Sequence, residues 1–141
     1  MTRSEIELVR EAFDHISPRL ERVCLTFCEK LFELDLSLRV LFPNDLHPLI
    51  AHLATGLEAV VRSLDDLGSV LVRAPALGLR LASYGLEPAD LATIGTAFFA
   101  TLESEMGEAL TQDALAAWRR VFWTIALVTA VAMGEALPAA A

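Results

Sequence analysis

Histidine is scarce in this chain of 141 residues: its three copies, His15, His47 and His52, all fall among the first 52 positions. Chemistry that depends on an imidazole has to draw on that part, because the long apolar stretches that follow contain none. Cysteine is limited to Cys24 and Cys28. Two thiols one helical turn apart, with His52 as a further candidate, lack the fourth ligand and the spacing of a structural zinc site, so no metal centre is expected and both read as small buried hydrophobes. Basic residues are also few, 11 against 19 acidic ones, giving a formal charge of -8. That balance opposes contact with phosphate backbones and excludes nucleic acid as an expected partner. The start, Met1-Thr2-Arg3-Ser4-Glu5, runs straight into amphipathic sequence without an apolar export segment, so a cytoplasmic location is expected. The apolar run at residues 121–133 is thirteen long. A bilayer span takes about 20 such residues, so no membrane span is expected and the run reads as a buried helix needing cover on every side.

Hydrophobic residues make up 55% of the chain and charged ones 21%, at a length suited to one domain over residues 1–141. The apolar excess points to a subunit interface or an internal cavity. Periodicity is helical throughout, and no alternating run is long enough for a strand, so the fold class is all-α. Ser4 with Glu7 reads as a capping box opening a first helix, with Ile6, Val9 and Phe13 facing inward. Ser17-Pro18 closes that helix and caps a second, reaching Leu34. Residues 35–43 are turn-rich; Asp45 and Pro48 then start a helix whose stripe Leu49, Leu53, Leu57 and Val60 runs to Ser63. Residues 65–69 read as a connector, and Pro75 is expected to split the next stretch into a turn and a helix ending near Gly85, which suits a left-handed cap. Glu87-Pro88 opens a long helix to Gly107, and Thr111 caps the last one, towards Gly134. The tail at residues 137–141 is expected to fray.

Several segments, taken in order, carry a family resemblance. They are Phe32-Glu33-Leu34-Asp35-Leu36-Ser37-Leu38-Arg39-Val40-Leu41-Phe42-Pro43, Leu57-Glu58-Ala59-Val60-Val61, Tyr84-Gly85-Leu86-Glu87-Pro88 and Ala116-Ala117-Trp118. Over nearly its whole length the chain resembles bacterial single-domain globins and the haem domain of flavohaemoglobins. The resemblance implies a globin-like fold of about seven helices with a haem pocket. It places Phe42 where a phenylalanine wedges against the haem ring, and Leu81 where the proximal histidine binds iron. Leu49 falls on the distal glutamine or histidine, Cys28 on the distal tyrosine, and Leu91 and Met133 on the tyrosine and glutamate that hold the proximal histidine. Leu53, Leu86 and Phe122 fall on further haem-pocket positions, and Arg80 on a basic residue near the propionates. Leucine cannot bind iron. Replacing the whole polar set by apolar groups also avoids leaving one buried member unsatisfied.

The remaining polar residues have two readings each. His52 is a distal-side ligand candidate, with Cys28 or His47 nearby, or a partly exposed helix histidine. His47 reads as a helix-start residue and His15 as a cation at a helix carboxyl end. Arg80 is a propionate-type anchor or a solvated helix charge. Three functions follow. The first is a haem-free globin acting as a small-ligand binding or sensing module, similar to non-haem globin domains of bacterial stress and sporulation signalling proteins. Its ligand is an apolar molecule such as a fatty acid, with Arg80, Arg39 or His52 available for a carboxylate. The second is a globin that binds haem b and oxygen through His52 or Cys28. The third, an enzyme of nitric oxide dioxygenase or peroxidase type, ranks last, and no catalytic residue is assigned. A homodimer through the last two helices is expected.

Overall fold

Thr2 opens the first helix, α1 (Arg3–Ile16). Its hydroxyl accepts from the Glu5 N–H at 3.1 Å while the Glu5 carboxylate accepts from the Thr2 N–H at 3.1 Å. This reciprocal box satisfies two otherwise orphaned donors, and the Thr2 N–H is the first cause that holds the Glu5 carboxyl below its ordinary pKa. It replaces the box expected at Ser4 and Glu7. Both pairs have the right spacing, and in the structure Glu5 also meets Arg120 of the last helix at 3.2 Å. A 3-10 turn, Ser17–Arg19, leads into α2 (Leu20–Leu34). Ser17 closes α1 as expected, its N–H donating to the Phe13 carbonyl, but its hydroxyl caps no following helix and donates back to the Asp14 carbonyl at 3.5 Å. Asp35 caps the short α3 (Leu36–Arg39) by accepting from the Ser37 N–H at 3.0 Å.

The computed structural model describes residues 1–136, with side chains as far as Gly134, so the expected fraying of residues 137–141 lies outside the described residues. Four longer helices follow: α4 (His47–Arg62), α5 (Leu67–Ser83), α6 (Asp90–Met106) and α7 (Gln112–Ala136). Asp45 meets the His47 N–H at 3.0 Å and Thr111 the Ala114 N–H at 3.1 Å, so both expected starts are present. The connector is shorter than expected: a 3-10 turn at Leu64–Asp66 passes directly into α5. Pro75 does not split α5, which runs through it. Pro88 stays in the turn before α6, where the Asp90 carboxylate accepts from the Glu87 N–H at 2.8 Å. Among the described residues the fold is all-α, with seven α-helices and no strand.

Two apolar clusters fill the interior. One joins α1, α2, α4, α6 and α7 around Val9, Ile16, Leu102 and Trp118. The other is built from α2, α3, α6 and α7 with Leu86, half-buried residues of α4 and α5 pack against it, and Phe122 packs against both clusters. Trp118 is fully buried, and its indole N–H has no partner among the described residues. By length and composition residues 112–134 are apolar enough to cross a membrane. In the fold α7 is a core helix whose inner side, including Val121, Ala126, Thr129 and Met133, is buried. It is not covered on every side, however, because Trp123, Leu127 and Val131 are exposed.

Candidate functional site

The second cluster is framed by two helices anchored on opposite sides. Alpha4 is tied to α1 by Arg10, which donates to the carbonyls of Val61 at 3.2 Å and Arg62 at 3.1 Å, closing the α4 carboxyl end. Alpha5 is pressed onto α7 at Gly78, where a Cβ would lie 2.6 Å from the Thr129 carbonyl oxygen and 2.9 Å from the Ala132 Cβ. No side chain separates those backbones. The end of α5 is fixed by a Schellman motif: Leu86 N–H donates to Leu81 O at 3.1 Å and Gly85 N–H to Ala82 O at 2.9 Å. Gly85 has φ 97°, which only glycine adopts without strain. Leu81 and Leu86 both pack in the cluster, which is the apolar contact that accompanies this cap.

In this cluster the structure brings together Cys28, Phe42, Leu49, Leu53, Leu81, Leu86, Leu91, Phe122 and Met133. Cys28, Leu86, Leu91 and Met133 form a buried floor. Leu49, Leu53 and Leu81, on the two walls, are only half-buried. Leu77, one turn before Leu81 on the same side of α5, is 45% exposed. On α4, a Cβ at Gly56 would meet nothing within 4 Å. The apolar side chains that α4 and α5 set against this floor are thus incompletely covered. Leu77 belongs to no motif of the sequence, although it lies one helical turn from Leu81.

Phe42 sits 5.8 Å from Phe32 and 5.5 Å from Tyr84, ring centre to ring centre. Arg39 lies over the Phe32 ring at 5.4 Å and donates to the carbonyls of Phe42, Pro43 and Asn44 at 3.0 to 3.2 Å. That guanidinium is committed to the α3–α4 corner, which removes Arg39 from the groups expected to meet a carboxylate. His47, His52 and Arg80 are exposed. His52 is thus outside the cluster while its neighbour Leu53 is in it. Burial pushes the Cys28 thiol up to about 11, aided by Glu29 and opposed by Arg39; Cys24 is likewise pushed up to about 11 by burial. Both are neutral at physiological pH. Among the described residues no three His, Cys, Asp or Glu side chains gather into a metal-binding group. Two surface clefts, of about 120 Å³ beside His15 and Met106 and about 250 Å³ beside Leu34 and Thr96, are lined by no residue of α4 or α5.

No protein-family model and no curated protein sequence matches the chain. Solved structures do. An engineered carbene transferase made from a Rhodothermus marinus protein described as a nitric oxide dioxygenase superposes with a TM-score of 0.84 at 20% identity, covering 96% of this chain and 94% of that one. A flavohaemoglobin from Malassezia yamatoensis, with bound FAD and haem, gives 0.72 at 17% identity over 95% of this chain and 37% of the flavohaemoglobin. The chain has the globin fold.

Proposed function

We propose that this protein is a haem-free globin-fold module that binds a small apolar ligand in a slot between α4 and α5, and acts by binding rather than catalysis. The observation that carries this reading is Leu81. It occupies the last turn of α5, the position of the proximal histidine in the globin resemblance, and packs with Leu86, Leu91 and Met133 in a cluster without an imidazole. A haem iron in this fold depends on such a ligand, so the donor set does not fit the group. The half-buried Leu49, Leu53 and Leu81 support a ligand of low polarity, such as an acyl chain, with the exposed Arg80 or His52 for an acidic head.

The fold shared with a haem-bearing flavohaemoglobin favours a second reading, haem b held by His52 or Cys28. Against it, His52 is exposed and the Cys28 thiol is held neutral by burial. Addition of hemin to the purified protein separates the two. We expect no Soret band beyond that of free hemin, while extraction and mass spectrometry should recover an apolar ligand; a sharp Soret band lost in the His52→Ala or Cys28→Ala variant would establish the second reading instead.

A further inference from the structure

Alpha5 departs from the rest of the chain in charge. Of the helices longer than one turn it alone carries no Asp or Glu, although the chain holds 19 of them, and its only charges are Arg73 and Arg80. Asp65 and Asp66 precede it and Glu87 follows its cap, so the run from 67 to 86 has no carboxylate. The α7 stretch that meets Gly78 lies within residues 114–134, which have none either. Arg3, Arg10, Arg19, Arg62 and Arg120 face carboxylates in ion pairs. Arg39 is held by carbonyls. Among the described residues Arg73 and Arg80 have no such partner, and both are exposed.

These two positions, seven residues apart, lie on one line of the helix with exposed apolar side chains to either side. Val72, 80% exposed, and Leu79, 54% exposed, lie about 100° round the axis, on the flank away from the second cluster. Leu77 and Tyr84, 45% and 43% exposed, lie about 40° round on the other flank. The inner side of α5, Val70, Ala74 and Gly78, is buried. We infer that this outer side of α5 docks the protein, helix axis in the plane of the surface, on an anionic lipid bilayer.

Shape and charge together select the occupant. A peptide partner is held by a groove or an open strand edge, and α5 presents a ridge: the two surface clefts are lined by other helices. A bilayer takes separate apolar side chains between its acyl chains without a preformed pocket, and sets anionic heads at the level that arginines beside them reach. Guanidinium forks match phosphate oxygens, and a tyrosine places its ring and hydroxyl across the same boundary. The formal charge of -8 does not oppose this contact. At physiological salt, exposed carboxylates farther than about 8 Å from the lipid heads are largely screened, and the run that touches them has none. Docking is independent of the ligand proposed for the slot. Arg73 separates the two readings, because only Arg80 is assigned to that ligand.

The experiment floats the full chain with vesicles of phosphatidylcholine plus phosphatidylglycerol, and with vesicles of phosphatidylcholine alone. The chain should bind the first and not the second, more weakly as salt rises. Arg73→Gln should lower the partition constant about fivefold, and Arg73→Gln with Arg80→Gln about 30-fold. Val72→Ser with Leu79→Ser should lower it at least about 10-fold, all with unchanged helical spectra. An environment-sensitive fluorophore on Leu79→Cys should shift to the blue on the anionic vesicles, whereas the same label on Leu127→Cys, on the outward side of α7, should not. Cys24 and Cys28 are buried and take no label. The inference is overturned by equal binding to both kinds of vesicle, by no binding to the anionic ones at low salt, or by a shift at Leu127→Cys in place of Leu79→Cys. A covalent dimer of Leu79→Cys under mild oxidation, which would give the ridge to a second copy, overturns it as well.

Discussion

Leu81 contributes to stability at the place where the fold's relatives would be expected to carry chemistry. Its carbonyl accepts the closing bond from Leu86, and its side chain joins the cluster below. Placing an imidazole there exchanges an apolar contact for a ring whose N–H finds no acceptor in Leu91 or Met133. Leu81→His should therefore destabilise the protein by about 1–2 kcal/mol, read from the urea midpoint. On the proposed haem-free reading, the same variant should gain a Soret band with hemin. If it too stays without one, the obstacle is the shape of the slot rather than the missing ligand. The sequence was informative about these apolar positions because helical spacing alone carries Leu49 with Leu53 and links Leu81 to Gly85. It was uninformative about Arg39, whose three carbonyl partners arise from the fold of the 39–44 corner, and about which flank of α4 carries His52.

Helix boundaries follow local chemistry where one turn or cap acts alone, as in the Asp45 turn before α4 and at Thr111. They shift where tertiary partners enter. Pro75 removes a backbone donor and crowds the preceding turn, so local propensity argues for a break. The helix persists because its inner side, Val70, Ala74 and Gly78, is buried, with Gly78 set directly against the α7 backbone. Packing outweighs a helix-interior cost of about 3 kcal/mol. Pro75→Ala should accordingly stabilise the protein by about 1–2 kcal/mol, after subtracting the smaller entropy that proline removes from the unfolded chain. Gly78→Ala should do the reverse, lowering stability by about 1–3 kcal/mol, because the nearest atom is a backbone oxygen that cannot turn aside. Paired denaturant titrations of the two variants measure both effects.

At the scale of the molecule, the all-α class and the order of helices were readable from periodicity, and the globin fold from segments in their proper sequence. The uncovered side of α7 was not readable, because its apolar run is nearly unbroken and only the packed structure shows which third of the helix the other helices leave open. The two buried thiols give the whole fold an alkaline limit. Their ordinary pKa of 9.0 rises to about 11 on folding. The unfolded chain therefore loses these protons first as pH rises. The stability that the neutral thiols contribute is complete below pH 9 and is lost as pH rises through about 11. Urea midpoints should fall across that window, and less steeply in a Cys24→Ala, Cys28→Ala double variant.

The two tryptophans differ in setting, and so provide the protein with two optical probes. Trp118 is sealed in the core while Trp123 is 43% exposed on α7. Emission from the first should stay blue until the fold itself opens, whereas emission from the second should be quenched by acrylamide while the protein is still folded. A Trp123→Phe variant should keep the unfolding signal and lose the quenchable one, so that one fluorimeter separates the core from the exposed side of α7.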